Sequence, residues 1–349
     1  MIRAAIHSVV VGAIFAGAFV LGCGLITSAL PFPPVPQVGE KLAHFTAHRD
    51  DYTALFVGSS HFRRQIVPTL FDQLAAQRGL EMRTFNFGVD SLMAPEDDFV
   101  VEHILATRPS RLRWVFLEIT MFRGKFENQA PETQRASYWH DARRTWLVAQ
   151  WVRENAKPFK RKKWRVGLER LSEQAELIGG HARLFLKTST NLGRGSALFA
   201  DFANPGPERD WLAPLGPALD GFIPSDPGLV VRGEQRVQYE RELAALREKG
   251  ARRRPLDPVA QRCLETTLAR IRAAGAQPIL VIAPTTHPFV FHPSRDTGAP
   301  LLDFTDPHQW PELFAPDVRA DSGHMNGPGA VLWTHRVAER FLALAAPPK

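Results

Sequence analysis

Three apolar runs separated by helix-like stretches constrain this chain more than any other feature. Residues Tyr52 to Val57 read as a strand, and Val67 to Arg78 as an amphipathic helix with Leu70, Phe71, Leu74 and Ala75 on one face. Arg83 to Val89 reads as a second strand, and Pro95 opens a second helix that runs to about Thr107. Proline suits that place, because a helix start has no use for its missing N–H. Arg113 to Thr120 is then a third strand, apolar almost throughout except at Glu118, as a strand buried on both faces should be. Strand, helix, strand, helix, strand predicts a parallel sheet covered by helices. The alternation returns late in the chain: a helix over "LDPVAQRCLETTLARIRAAGA" with a stop at Gly275, a strand from Gln277 to Pro284, a short strand from Pro300 to Thr305, and a closing helix.

Between Met121 and about Arg254 the alternation is lost. Helical stretches "DARRTWLVAQWVREN" and "RVGLERLSEQAELI" precede a loop rich in Gly, Pro and Asp from Gly193 to Gly233. Residues 121–254 are therefore expected to be a mostly helical insertion, a lid or docking element, within an α/β domain formed by 51–120 and 255–349.

The other strong signal is at the start. From Ala4 to Leu30 there is no charged residue. A helix of that length reaches about 40 Å, against a hydrocarbon core of about 30 Å. A cleaved signal peptide has an apolar core of only about 7–15 residues. The reading adopted is a membrane anchor over 1–31. A cleaved signal peptide, or a lipoprotein signal at Val20-Leu21-Gly22-Cys23, is the alternative. Arg3 and the amino terminus on one side balance Lys41 and Arg49 on the other, so basic residues near the span do not set its orientation. Four prolines in "PFPPVPQVG" predict a stiff extended spacer over 32–50.

Composition adds bounds. The chain has 349 residues and is 44% hydrophobic and 23% charged, which is ordinary for a folded protein. Much of its net charge of +7 sits in one run, Lys157 to Arg165. That run reads as a solvated face or as a patch for anionic head groups or an acidic partner. No nucleic-acid-binding module surrounds it, so no nucleic-acid partner is expected. Cys23 and Cys263 are too few and too far apart for a cysteine zinc site. His287 and His292 decorate a proline-bound loop. No metal or cofactor is expected.

Ligands of open parallel sheets bind at the carboxyl ends of the strands. The first strand stops at Gly58-Ser59-Ser60, and a late loop carries Asp321 and His324. A serine hydroxyl needs a base before it can attack at neutral pH, and histidine titrates in the right range. The histidine in turn needs a carboxylate to fix its tautomer. Asp321 and His324, three apart, can present both groups to one place. His61 follows Ser60, and neighbours at a strand–helix turn usually point apart, so it is not read as the base. Glu118, a carboxylate inside an apolar strand, must be paired; a structural ion pair with Arg63 or Arg64 is expected, and a bond to a serine or arginine near the site is the alternative.

These blocks resemble the SGNH or GDSL hydrolase superfamily. Gly58-Ser59-Ser60 is similar to its first block, with Ser59 where aspartate is usual, and Asp321-Ser322-Gly323-His324 is similar to its closing block. The resemblance implies a flavodoxin-like three-layer α/β/α fold, with Ser60 as nucleophile, His324 as base and Asp321 as orienting acid. It departs from the family at two points. The second block reads Asn86-Phe87-Gly88-Val89-Asp90-Ser91, with Ser91 where an oxyanion-hole glycine would stand. The third strand is followed by Phe122 rather than an asparagine, the next asparagine being Asn128. The amides of Ser60 and of the turn from Gly88 to Ser91 are left as oxyanion donors. The anchor and these variants resemble the membrane-anchored branch, such as D-alanyl-lipoteichoic acid biosynthesis proteins, that works beside membrane-bound O-acyltransferases. That implies a serine esterase or O-acyltransferase on the outer side of a bacterial membrane, acting on an acylated glycan or lipid-linked polymer. A non-catalytic docking partner of such an acyltransferase is the alternative.

Overall fold

The computed structural model describes residues 2–29, 32–33, 35–122, 134–154, 164–191, 210–226 and 228–345. The chain divides into two compact units, one formed by Met1–Val35 with Phe126–Arg209 and the other by Pro36–Lys125 with Asp210–Lys349. The basic run falls outside the described residues apart from the backbone of Trp164 and Arg165. Asn128 also falls outside them.

The second unit is α/β. Its strands are β1 (Ala54–Gly58), β2 (Thr84–Gly88), β3 (Trp114–Glu118), β4 (Arg252–Pro255), β5 (Gln277–Ile282), β6 (Phe289–His292) and β7 (Leu301–Asp303). Five of them form one parallel sheet in the order β2-β1-β3-β5-β7, and β4 and β6 form a separate parallel pair. The chain direction across the sheet reverses between β1 and β3, its two central neighbours. Every residue of β1 and β2 is buried, which explains why neither shows an alternating pattern in sequence.

Aromatic side chains hold one face together. Phe56 on β1 stacks on its register partner Phe116 on β3, with ring centroids 4.2 Å apart. Phe71 from the helix Pro68–Ala76 and Phe341 from the closing helix Gly327–Ala345 meet this pair. Aromatic pairs of this kind add about 0.5–1.5 kcal/mol each beyond burial. A second set of helices, Glu96–Ala106 and Pro258–Ala273, packs together and against β1 and β5. Asp257 caps the latter helix through the amides of Val259 and Ala260 at 2.9 Å, with Pro258 in its first turn.

Two expected boundaries move. The helix Val38–Ala47 occupies part of the segment read as a spacer. Its Lys41 is wholly buried, and its ammonium donates to the carbonyls of Asn86 (2.9 Å), Gly88 (2.7 Å) and Gly221 (2.7 Å). Burial, reinforced by the nearby Arg63, pulls the Lys41 pKa well below its usual value, while three acceptors match the three protons of the charged form. The prolines end at Pro36, and the helix that follows is part of the domain.

The insertion is also shorter than expected. Residues from Asp210 onward belong with the sheet. Asn86 N–H donates to Asp220 O at 2.8 Å, tying β2 to this segment. The helix Gly233–Lys249 contributes Tyr239, Leu243 and Leu246 to the core.

The first unit is helical in its described parts. Its helices are Ile2–Ala29, Gln134–Ser137, Ala142–Glu154 and Trp164–Ser189. The stretch Ile6–Thr27 is long and apolar enough to cross a membrane. Asn191 donates to Cys23 O at 3.2 Å and to Thr27 Oγ1 at 3.0 Å, tying the end of the Trp164–Ser189 segment to the first helix. His140 and His181 share a buried 2.8 Å hydrogen bond, and burial, with His181 beside it, drives the His140 pKa down to about 3.

Candidate active site

β1 and β3 end side by side where the sheet reverses, and the turn after β1 delivers Ser59, Ser60 and His61. A helix starts at Ser60 and runs to Gln65, with Ser59 as its N-cap accepting from His61 N–H at 3.3 Å. Gly58 is required for this close turn. A Cβ there would lie 2.6 Å from the Phe62 ring and 2.8 Å from Glu118 Oε2. Gly88 is needed for a parallel reason, since a Cβ would meet the Arg63 backbone nitrogen at 2.2 Å.

The three residues proposed from sequence come together. Ser60 Oγ lies 2.8 Å from His324 Nε2. His324 Nδ1 lies 3.0 Å from each carboxylate oxygen of Asp321. With Nδ1–H donated to Asp321, the Nε2 lone pair faces the serine hydroxyl and accepts its proton. Burial alone would raise the Asp321 pKa, but the bond and charge of His324, with the amides of Gly323 and His324 at 2.7 Å, hold it at about 2.

The loop that carries this pair is pinned from below. Arg319 is fully buried and donates to Ser322 O at 2.9 Å and to Pro284 O at 3.3 Å. Its backbone bridges to Met325, closing the turn around Asp321 to His324. Asn326 donates to Asp317 O at 2.7 Å and to Leu229 O at 3.1 Å. Neither Arg319 nor Asn326 stands out in the sequence, because their acceptors are backbone carbonyls.

The oxyanion donors need correction. Gly88 N–H is already given to Asn86 Oδ1 at 2.9 Å, so Gly88 is withdrawn. The amides of Val89 and Asp90 go to Gly58 O and to Gln37 Oε1, both at 2.9 Å. In that turn only the amide of Ser91, an exposed residue at φ +57°, is unengaged among the described residues. Ser60 N–H, in the first helical turn, has no intrahelical partner and makes no other hydrogen bond among the described residues. Asn86 is structural: it is buried, and its side-chain amide donates to Phe62 O at 2.6 Å and Ile66 O at 2.8 Å. It thereby fixes the helix that begins with Ser60 against β2.

Glu118 takes the alternative of its two expected partnerships, a serine beside the site rather than an arginine, and adds a histidine. Arg63 pairs with Asp90 at 2.7 Å, and Arg64 lies 3.7 Å from the same carboxylate. Glu118 instead accepts from Ser59 N–H (2.7 Å), from Ser59 Oγ (3.1 Å) and from His61 Nδ1 (2.6 Å). This pairing crosses from β1 to β3, so nothing local in the sequence marks it. It holds the His61 ring beside that of His324, with ring centroids 5.2 Å apart, a pairing that sequence reasoning did not foresee.

No family model matches the chain, and no curated protein matches it. The site's chemistry is thus read from its own geometry. A hydroxyl, an imidazole and a carboxylate in hydrogen-bonded series, at the carboxyl end of a parallel sheet, can activate an oxygen nucleophile toward an acyl carbonyl. Among the described residues no cluster of three or more His, Cys, Asp or Glu side chains is arranged to hold a metal ion.

Proposed function

We propose that this protein is a membrane-anchored serine esterase or O-acyltransferase of the SGNH type. The observation that carries the reading is the relay from Ser60 Oγ to His324 Nε2 at 2.8 Å and on to Asp321 at 3.0 Å. Its position supports the reading too. The main sheet, counted in its own strands, has the flavodoxin-like order 2-1-3-4-5, and Ser60 sits at the switch point where ligands of such sheets bind.

In this mechanism Ser60 Oγ attacks the acyl carbonyl of the donor ester while His324 Nε2 takes its proton. The tetrahedral intermediate draws its stabilisation from backbone donors at Ser60 and Ser91. On collapse the donor's C–O bond breaks, and the leaving oxygen receives the proton from His324. The acyl group is then an ester on Ser60. Water or a sugar hydroxyl gives its proton to His324, bonds the acyl carbon and releases Ser60 with its proton restored. Asp321 holds the imidazole in the tautomer that each transfer requires and stabilises its cation.

The apolar helix Ile6–Thr27 supports an anchor. By resemblance, the domain faces outward from a bacterial membrane, beside a membrane-bound O-acyltransferase, and acts on a glycan or lipid-linked polymer. One observation favours the docking alternative: three of the four amides from Gly88 to Asp90 and Ser91 are already engaged, which thins the oxyanion hole. Labelling with a fluorophosphonate probe separates the two. The enzyme reading expects label on wild type and Ser59→Ala and none on Ser60→Ala. A folded wild type that never labels would leave docking as the function.

A further inference from the structure

A second imidazole–carboxylate pair stands beside the first, and the acyl-transfer relay makes no use of it. Glu118 has no exposed side-chain surface, and its carboxylate is the acceptor for Ser59 and His61. In the tautomer that gives Nδ1–H to Glu118, His61 presents its Nε2 lone pair elsewhere. Nε2 has no hydrogen-bond partner among the described residues, and the side chain keeps 16% of its exposure. It points to the Gly323 side of the Asp321–His324 turn: a Cβ on Gly323 would lie 3.9 Å from His61 Nε2 and 3.5 Å from Asp321 Oδ1. The glycine leaves that space open. Two imidazoles with centroids 5.2 Å apart thus stand side by side, one bonded to the nucleophile and the other oriented but unused.

A structural role alone does not account for this arrangement. Ser59 N–H and Ser59 Oγ already satisfy Glu118 in part, and helix capping needs only Ser59. What His61 adds is an aimed acceptor next to the base.

We propose that His61, positioned by Glu118, binds a second hydroxyl of the acyl acceptor, so that the acceptor class is a vicinal diol of the kind found in sugars. One hydroxyl gives its proton to His324 and takes the acyl group from Ser60. Its neighbour donates a hydrogen bond to His61 Nε2 and is not consumed. Water and simple alcohols can fill only the first position. This inference rests on the acyl-enzyme reading above and specifies its acceptor.

The test is a partition experiment on the full chain in detergent. The enzyme is acetylated with p-nitrophenyl acetate in the presence of equal concentrations of cis-cyclohexane-1,2-diol and cyclohexanol, and the two acetate esters are quantified. The ratio of products is independent of how fast Ser60 acylates. In wild type the ratio should favour the diol by about 10-fold or more, the worth of one oriented hydrogen bond. His61→Asn keeps an amide near the Nδ1 position for Glu118 but has nothing at Nε2. Its ratio should fall to about 2, the statistical value for two hydroxyls against one. His61→Gln, which carries an amide out toward the Nε2 position, should recover part of the preference. Melting curves confirm that each variant is folded. A wild-type ratio near 2, or a ratio unchanged in folded His61→Asn, would overturn the role of His61 while leaving the acyl-enzyme intact. Absence of any acetyl-Ser60 in wild type would remove both.

Discussion

The two imidazole–carboxylate pairs at the sheet edge use the same groups in opposite surroundings. Asp321 keeps 53% of its side-chain exposure and His324 33%, and both sit on one loop, three residues apart. Glu118 keeps none and His61 16%, and they come from different elements, the end of β3 and the helix that follows β1, 57 positions apart. The difference separates tasks. A pair that must move protons and meet substrate belongs at the surface, on a loop held by the rigid sheet. A buried carboxylate with three donors is fixed by its surroundings and can only orient what touches it. The loop pair should therefore govern rate, and the buried pair should govern stability and acceptor choice.

The strongest attack on this contrast is at Asp321. Asp321→Asn puts an amide that can donate to Nδ1 where an acceptor-only carboxylate fixed the His324 tautomer, and turnover of an activated ester should fall by about 10⁴-fold. The same change should cost less than about 1 kcal/mol of stability, as exposed pairs do. A melting point that drops sharply with it would show the loop pair to be structural. Glu118→Leu is the mirror image. It strands Ser59 N–H, Ser59 Oγ and His61 Nδ1, and should destabilise the domain by about 3 kcal/mol in a denaturant titration. If Glu118→Leu melts like wild type, the buried pair has no hold on the turn.

Gly58→Ala sharpens the comparison from the backbone side. The added methyl collides with Phe62 and with Glu118 Oε2, so a cost of about 1–3 kcal/mol is expected from overpacking. Gly323→Ala should be tolerated within about 0.5 kcal/mol, because its methyl meets Asp321 and His61 only at ordinary contact distances. Measured unfolding energies in the reverse order would contradict the assignment of the rigid side to β1 and β3.

The same division explains what the sequence reveals. The strands are legible because burial on both faces leaves apolar runs such as "ALFVG" and the "WVFL" that precedes Glu118. The loop pair is legible because its members are neighbours in sequence, and Ser60 because a strand must end before it. Glu118–His61 is not, because its pairing is set by strand adjacency. The helix Gly233–Lys249 escapes notice since nearly half of it is charged, although Tyr239, Leu243 and Leu246 lie four and three apart on one stripe. The helix Val38–Ala47 is hidden by the prolines before it and by Lys41, whose burial depends on three carbonyls that no residue type announces.

The smallest expected effect follows from the exposure of the loop pair. Asp321 titrates at about 2 in the folded protein, below the usual carboxylate value near 3.9. A depressed carboxylate contributes stability that is fully present above about pH 4 and is lost as pH falls through about 2. Because the group is half exposed, solvent screening should leave this contribution well under 1 kcal/mol. Asp321→Asn should therefore flatten the stability profile only slightly between pH 4 and 2. Glu118→Gln should shift stability across the whole range from pH 5 to 8, since an amide cannot accept from three donors as the carboxylate does. Unfolding free energies measured from pH 2 to 8 on both variants compare the pairs directly. A steep acid dependence that vanishes with Asp321→Asn would mean that the outer pair, not the inner one, holds this edge of the sheet together.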